Sequence, residues 1–226
     1  MNKLTLLTGE LSAGWSRLFG RQPVIGDANA LADFIDAQAA FLVQKGIYEY
    51  SRARAGHYAK VLFKEQPFID AVERARWSAY PLGLAMVGEL VEGVLNAHAS
   101  DDGSRQRKAL HALILSVFDR YPVPASLDAS AWREARSQLS RRLQQVGLHP
   151  PKRAFEIADP FVAAYFDLLP ISAALRKSEL PTICGYLRVT LCNVHNELTR
   201  RMDAAALLAS LRDGSRGTED GPAAQS

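Results

Sequence analysis

The chain has 226 residues, 48% hydrophobic and 23% charged, an ordinary globular composition with enough apolar mass to fill a core. A formal net charge of +3 and a pI near 8.9 tolerate an anionic partner without demanding one, and fall short of a dedicated nucleic-acid binder. Cys184 and Cys192 form no C-x-x-C and argue against a disulfide framework, no run of about 18 apolar residues is present, and Glu10 interrupts the early apolar patch, so a reducing, cytoplasmic setting is expected.

Helical spacing recurs along nearly the whole chain, and no convincing alternating strand interrupts it. Leu4, Leu7, Leu11, Trp15 and Leu18 recur at three and four residues and predict a short amphipathic helix and turn over 1–24. Asp27 can cap a long helix over about 28–54, with a second piece over 57–65 after Gly56. A further helix is expected over 67–98, opened by Pro67 and kinked at Pro81, making residues 25–98 a long antiparallel hairpin. The stretch "ASDDGSRQR" over 99–107 is a polar loop.

From 108 to 212 a second set of helices is expected to pack on the hairpin. Leu110, Leu113, Ile114, Val117 and Phe118 mark one; Asp128 can cap the next, along Trp132, Leu139 and Leu143 to Gly147. Pro150 and Pro151 would open another, Asp159 and Pro160 would start a fresh one, and a last helix would run over about 180–211. The tail over 213–226 has no large apolar residue and is expected to be disordered. The fold class is therefore all-α, a bundle of about seven helices. Phe34, Phe41, Leu113, Val117, Leu187, Val194 and Leu198 are the expected core.

One stretch stands out, "KGIYEYSRARAGHYAK" over 45–60. On a helical wheel Leu31, Phe34, Ile35, Phe41 and Leu42 form the apolar stripe, with Gln38 as its polar member. Continued, the same stripe becomes Lys45, Tyr48, Glu49 and Arg52. Two readings follow: a surface ion-pair ladder worth a few tenths of a kcal/mol per pair, at about that order, or the wall of a polar cleft with partners among Arg76, Glu89, Glu92, His195 and Glu197. The candidate binding residues are Lys45, Tyr48, Glu49, Arg52, Tyr58 and Arg76.

Motifs of known chemistry are missing. G-x-S-x-G, the phosphate-binding G-x-x-x-x-G-K-[ST], H-E-x-x-H and paired Glu-x-x-His do not occur. Cys192 and His195 lie one helical turn apart without a second pair, so neither a metal nor a cofactor is implied. Gly83, Gly88 and Gly93 suggest close helix approach, and the arginines at 133, 136, 141 and 142 suggest a solvated face. The expectation is a non-catalytic interaction protein that presents helix faces to a protein partner or a second copy. The alternatives are a binding protein for a small anionic or amphipathic ligand, and an enzyme without a recognisable motif. Sequence-specific nucleic-acid binding is not expected, and residues 3–19 leave room for peripheral membrane contact. The Ala-, Leu- and Arg-rich composition suits a bacterium with GC-rich DNA.

Overall fold

The computed structural model describes residues 23–99 and 103–219, with the last six of these described by their backbone alone. The expected N-terminal helix, the middle of the polar loop and the tail from position 220 lie outside the described residues. The fold is all-α, with no β-strand among the described residues.

Asp27 starts α1 (Ala28–Ala55): its carboxylate accepts the Ala30 amide at 2.8 Å, the expected cap. Gly56 ends it at φ 51°, a left-handed value that a side chain would resist. A 3-10 turn, Gly56–Tyr58, leads into the single-turn α2 (Ala59–Leu62) and then α3 (Gln66–Asn96), completing the hairpin. α1 packs most extensively on α3. Gly83 and Gly88 permit close contact: a Cβ at Gly83 would lie 3.0 Å from the Ala39 carbonyl, and one at Gly88 2.7 Å from Ile114.

α4 (Ser104–Asp119) begins four residues before the expected position 108, which shortens the polar loop. α5 (Ala129–Val146) follows, then a 3-10 turn over Asp159–Phe161, α6 (Val162–Asp167), α7 (Leu180–Arg201) and α8 (Ala204–Glu219).

Several local expectations are corrected. Asp128 precedes α5 without a side-chain cap bond, and Asp159 pairs with Arg188 at 2.8 Å instead of capping. Pro150 and Pro151 open no helix; the segment is held by turns, with Lys152 bonded to Glu89 at 2.7 Å. The single helix expected over 180–211 is two. Ile25 bridges Met202: its amide donates to the Arg201 carbonyl at 2.9 Å and its carbonyl accepts the Asp203 amide at 3.0 Å. Asp203 then accepts the Ala206 amide at 3.1 Å and starts α8. The apolar spacing runs through the break, from Leu198 to Leu207 and Leu211, so periodicity alone does not reveal it.

Phe34, Val117, Leu187, Val194 and Leu198 are core, as expected. Leu113 is half-buried. Phe41 is 51% exposed and does not belong to the core. The buried line of α1 is Leu31, Ile35, Ala39, Leu42, Val43, Gly46, Ile47 and Ser51. Positions 31, 38, 45 and 52 are spaced by seven, and a seven-residue step falls about 20° off a straight α-helix each time. By Arg52 that line has left the core.

Candidate functional site

α7 lies antiparallel along α1. Phe34 meets Arg201, Gln38 donates to Glu197 at 3.1 Å, the Tyr186 hydroxyl donates to the Leu42 carbonyl at 2.8 Å, and Arg54 pairs with Glu179 at 2.7 Å. The close approach depends on Gly46: a Cβ there would lie 2.6 Å from the Tyr186 ring and would overlap the Tyr165 hydroxyl. Tyr165, from α6, donates to the Val43 carbonyl at 3.1 Å. Burial raises the pKa of both phenols, that of Tyr186 to about 12. They therefore stay neutral donors to the α1 backbone.

Beside this seam the two helices leave an open groove of about 520 Å³. Gln38, Phe41 and Lys45 form its α1 wall; Gly185, Tyr186, Val189, Asn193 and Glu197 form much of its α7 wall. Val189 is 62% exposed, so both walls carry an apolar side chain in water. The Lys45 ammonium sits 5.1 Å from the centre of the Phe41 ring and makes no ion pair among the described residues. Glu197 closes the other end, bonded to Arg201 at 2.6 Å. Gly185 has no structural requirement of its own: a Cβ there would meet nothing within 4 Å. Glycine in a helix costs about 1 kcal/mol against alanine, so the groove keeps bare backbone at that expense.

The predicted site residues divide. Lys45 lines the groove. Tyr48, Glu49 and Arg52 are exposed farther along α1, so the line is not the wall of an internal cleft. Nor does it form the ladder: neither Lys45–Glu49 nor Glu49–Arg52 is an ion pair among the described residues. Tyr48 packs on Phe63, with ring centres 4.9 Å apart, and Phe63 packs on Phe68 at 5.0 Å, so this aromatic group fastens α2 between α1 and α3. Tyr58 is exposed at that corner. Arg76 stacks over Trp77 at 4.8 Å, away from the groove residues. Phe41, Val189 and Gly185 were missed as site residues. Gly185 carried a signal, a glycine inside an apolar-periodic helix.

A second polar cleft of about 130 Å³ holds Glu89 and Glu92, which the sequence offered as partners for Lys45. Glu92, 2% exposed, bonds Arg107 and His111, each at 2.9 Å, and Glu89 bonds Lys152. Gly147 leaves room for Arg107, whose Nε would lie 2.5 Å from a Cβ there. Gly93 faces the same cleft with Pro151 4.0 Å away. These charges satisfy one another and fix the 148–153 segment on α3.

Cys192 and His195 are both half-buried and share no hydrogen bond among the described residues. No group of three or more His, Cys, Asp or Glu that could hold a metal occurs among the described residues. No helix among them is long and apolar enough to cross a membrane. No family model, no curated protein and no solved structure matches this chain.

Proposed function

We propose that this chain is a non-catalytic interaction protein whose α1–α7 groove takes an amphipathic helix from a protein partner. The observation that carries the reading is the groove itself. It presents Phe41 and Val189 to water and passes a bare stretch of α7 at Gly185. An apolar helix face laid between two helices removes such surface from water, the helix-in-groove mode of recognition. Lys45, without a carboxylate partner among the described residues, selects an incoming helix with an acidic residue beside its apolar stripe. The mutual pairing of Glu89 and Glu92 with cations supports a structural role for the other polar cleft. The two free cysteines fit a reducing compartment, and we place the protein in the cytoplasm.

The test compares affinity capture by the parent with capture by Phe41→Asp/Val189→Asp and by Leu148→Asp, a control at an exposed site away from the groove. The same protein should be recovered by the parent and the control and lost from the groove variant, with melting temperatures unchanged. A synthetic helix from that protein should then bind with a Kd weakened at least tenfold by Lys45→Glu. Retention of the same partner by the groove variant sinks the reading.

A further inference from the structure

We infer that the corner joining α1 to α3 docks on an anionic phospholipid surface. After Gly56 the chain turns through the single-turn α2, and three rings hold that turn from the inside, Tyr48 on Phe63 and Phe63 on Phe68. The outer face follows from spacing. His57, Lys60, Val61 and Lys64 stand at i, i+3, i+4 and i+7, one side of a helical turn, and all four are exposed. Tyr58, one turn before Val61, is exposed with them. Tyr58 keeps 78% of its surface in water and Val61 59%. Side chains so exposed stand clear of the protein, and neither the α1–α7 groove nor the Glu89–Glu92 cleft includes them.

A second apolar set is tied to the same end of α1. Arg54, two residues before Gly56, donates to the Leu175 carbonyl and pairs with Glu179 at 2.7 Å. Leu175 and Leu180, on either side of Glu179, are both exposed. Two segments distant in sequence thus bring large apolar side chains into water at one corner.

The charge at this corner is positive. From Arg52 to Glu65 the chain carries Arg52, Arg54, Lys60 and Lys64 against one carboxylate, Glu65. Lys177 adds to them from the second segment, whose acid, Glu179, is already taken by Arg54. Lys60, Lys64 and Lys177 make no ion pair among the described residues. Protruding apolar groups among unpaired lysines are the composition of an interfacial anchor. Val61 and Leu175 would enter the boundary between headgroups and acyl chains. Tyr58 would stop at headgroup level with its hydroxyl wet, and the lysine stems would reach lipid phosphates. A protein partner would need a recess for Tyr58 and carboxylates placed for three lysines. A bilayer meets both needs without shape complementarity, and α2 is too short to offer a partner helix a stripe to follow. This surface is separate from the groove and does not depend on the function proposed above.

Sedimentation with vesicles tests the inference in the full-length chain. The parent should bind vesicles of equal parts phosphatidylcholine and phosphatidylglycerol, and should bind phosphatidylcholine alone at least tenfold less. Tyr58→Ser/Val61→Ser should weaken binding to the anionic vesicles at least tenfold. Lys60→Gln/Lys64→Gln should weaken it as well and should make it less sensitive to salt, because fewer exposed charges are left to screen. Phe41→Asp/Val189→Asp, in the groove, should bind as the parent does. A second measurement does not rely on these variants. A fluorophore on Tyr58→Cys, in a Cys184→Ser/Cys192→Ser background, should be quenched by brominated acyl chains, whereas one on Leu148→Cys should not.

Failure of the parent to bind anionic vesicles overturns the inference. So does undiminished binding by Tyr58→Ser/Val61→Ser, or equal quenching at positions 58 and 148, either of which places the contact elsewhere on the chain. Capture of a protein that needs Tyr58 and Val61, with no vesicle binding, overturns it too and assigns the corner to that partner. None of these outcomes bears on capture through Phe41 and Val189, so the two ideas fail separately.

Discussion

At the scale of single residues, two glutamates show how place decides the worth of a charge. Glu92 is buried and holds Arg107 and His111; Glu49 is exposed and pairs with neither Lys45 nor Arg52. Replacing Glu92 by glutamine removes the charge that Arg107 and His111 face. A fully buried pair broken in this way costs about 3–5 kcal/mol. Arg107 is one-third exposed in its side chain and regains water, so about 1–3 kcal/mol is expected, the cost of a buried polar group losing its partner. Glu49→Ala should cost less than about 0.5 kcal/mol, as surface changes do. Urea unfolding of the two variants measures the difference. Similar losses would mean that the Glu92 cluster contributes no more than a solvated side chain. The stretch "KGIYEYSRARAGHYAK" is thus neither an internal cleft nor an ion-pair ladder, and only Lys45 and its neighbour Phe41 reach the groove.

At the scale of elements, α1 is shaped by what lies against Gly46. Glycine to alanine inside a helix ordinarily gains about 1 kcal/mol. Here the added methyl would overlap the Tyr165 hydroxyl and press on the Tyr186 ring, and overpacking of this kind costs about 1–3 kcal/mol. Gly46→Ala should therefore destabilise the protein. Tyr165→Phe/Gly46→Ala should lose less than the two single changes together, because the missing hydroxyl makes room. A double-mutant cycle by urea unfolding reads the coupling; strict additivity would place the two residues out of contact. The same helix shows what was legible in the sequence. Its start at Asp27 and its end at Gly56 follow from capping and backbone chemistry, which are local. Its buried face does not, because Ala39, Gly46 and Ser51 are too small to register as an apolar stripe, whereas Phe41 and Tyr48 register strongly and face outwards. Small residues mark the places where α3, α6 and α7 come closest, and that information belongs to the neighbours. The break between α7 and α8 was hidden for the same reason, since it depends on the Ile25 backbone from the other end of the chain.

At the scale of the whole molecule, tyrosines from several elements converge on α1. Tyr80 of α3 and Tyr121, just beyond α4, both donate to Asp36, at 2.6 and 2.9 Å. Tyr165 and Tyr186 donate to the α1 backbone from α6 and α7, and Tyr50 of α1 lies half-buried near Glu179. Burial is the largest cause that raises each of these phenols. Tyr50, Tyr121 and Tyr186 are pushed up to about 12, and Tyr80 and Tyr165 are raised as well. An unfolded tyrosine ionises near pH 10, at about its reference value. Between pH 10 and about 12 the unfolded chain therefore holds fewer protons than the folded one, and stability falls as pH rises. The stabilisation is complete below pH 10 and is lost as pH passes through the folded values. Each deeply buried phenol, such as Tyr165, contributes a fall of at most about 1.4 kcal/mol per pH unit. Helical circular dichroism should collapse over this interval, in step with tyrosinate absorbance at 295 nm. Tyr165→Phe, which removes one ionising group, should make the collapse less steep even though the variant starts from lower stability. A helical signal that survives while all seven tyrosines ionise near pH 10 would show that the phenols around α1 face water, and the bundle would then have to be held together by its apolar contacts alone.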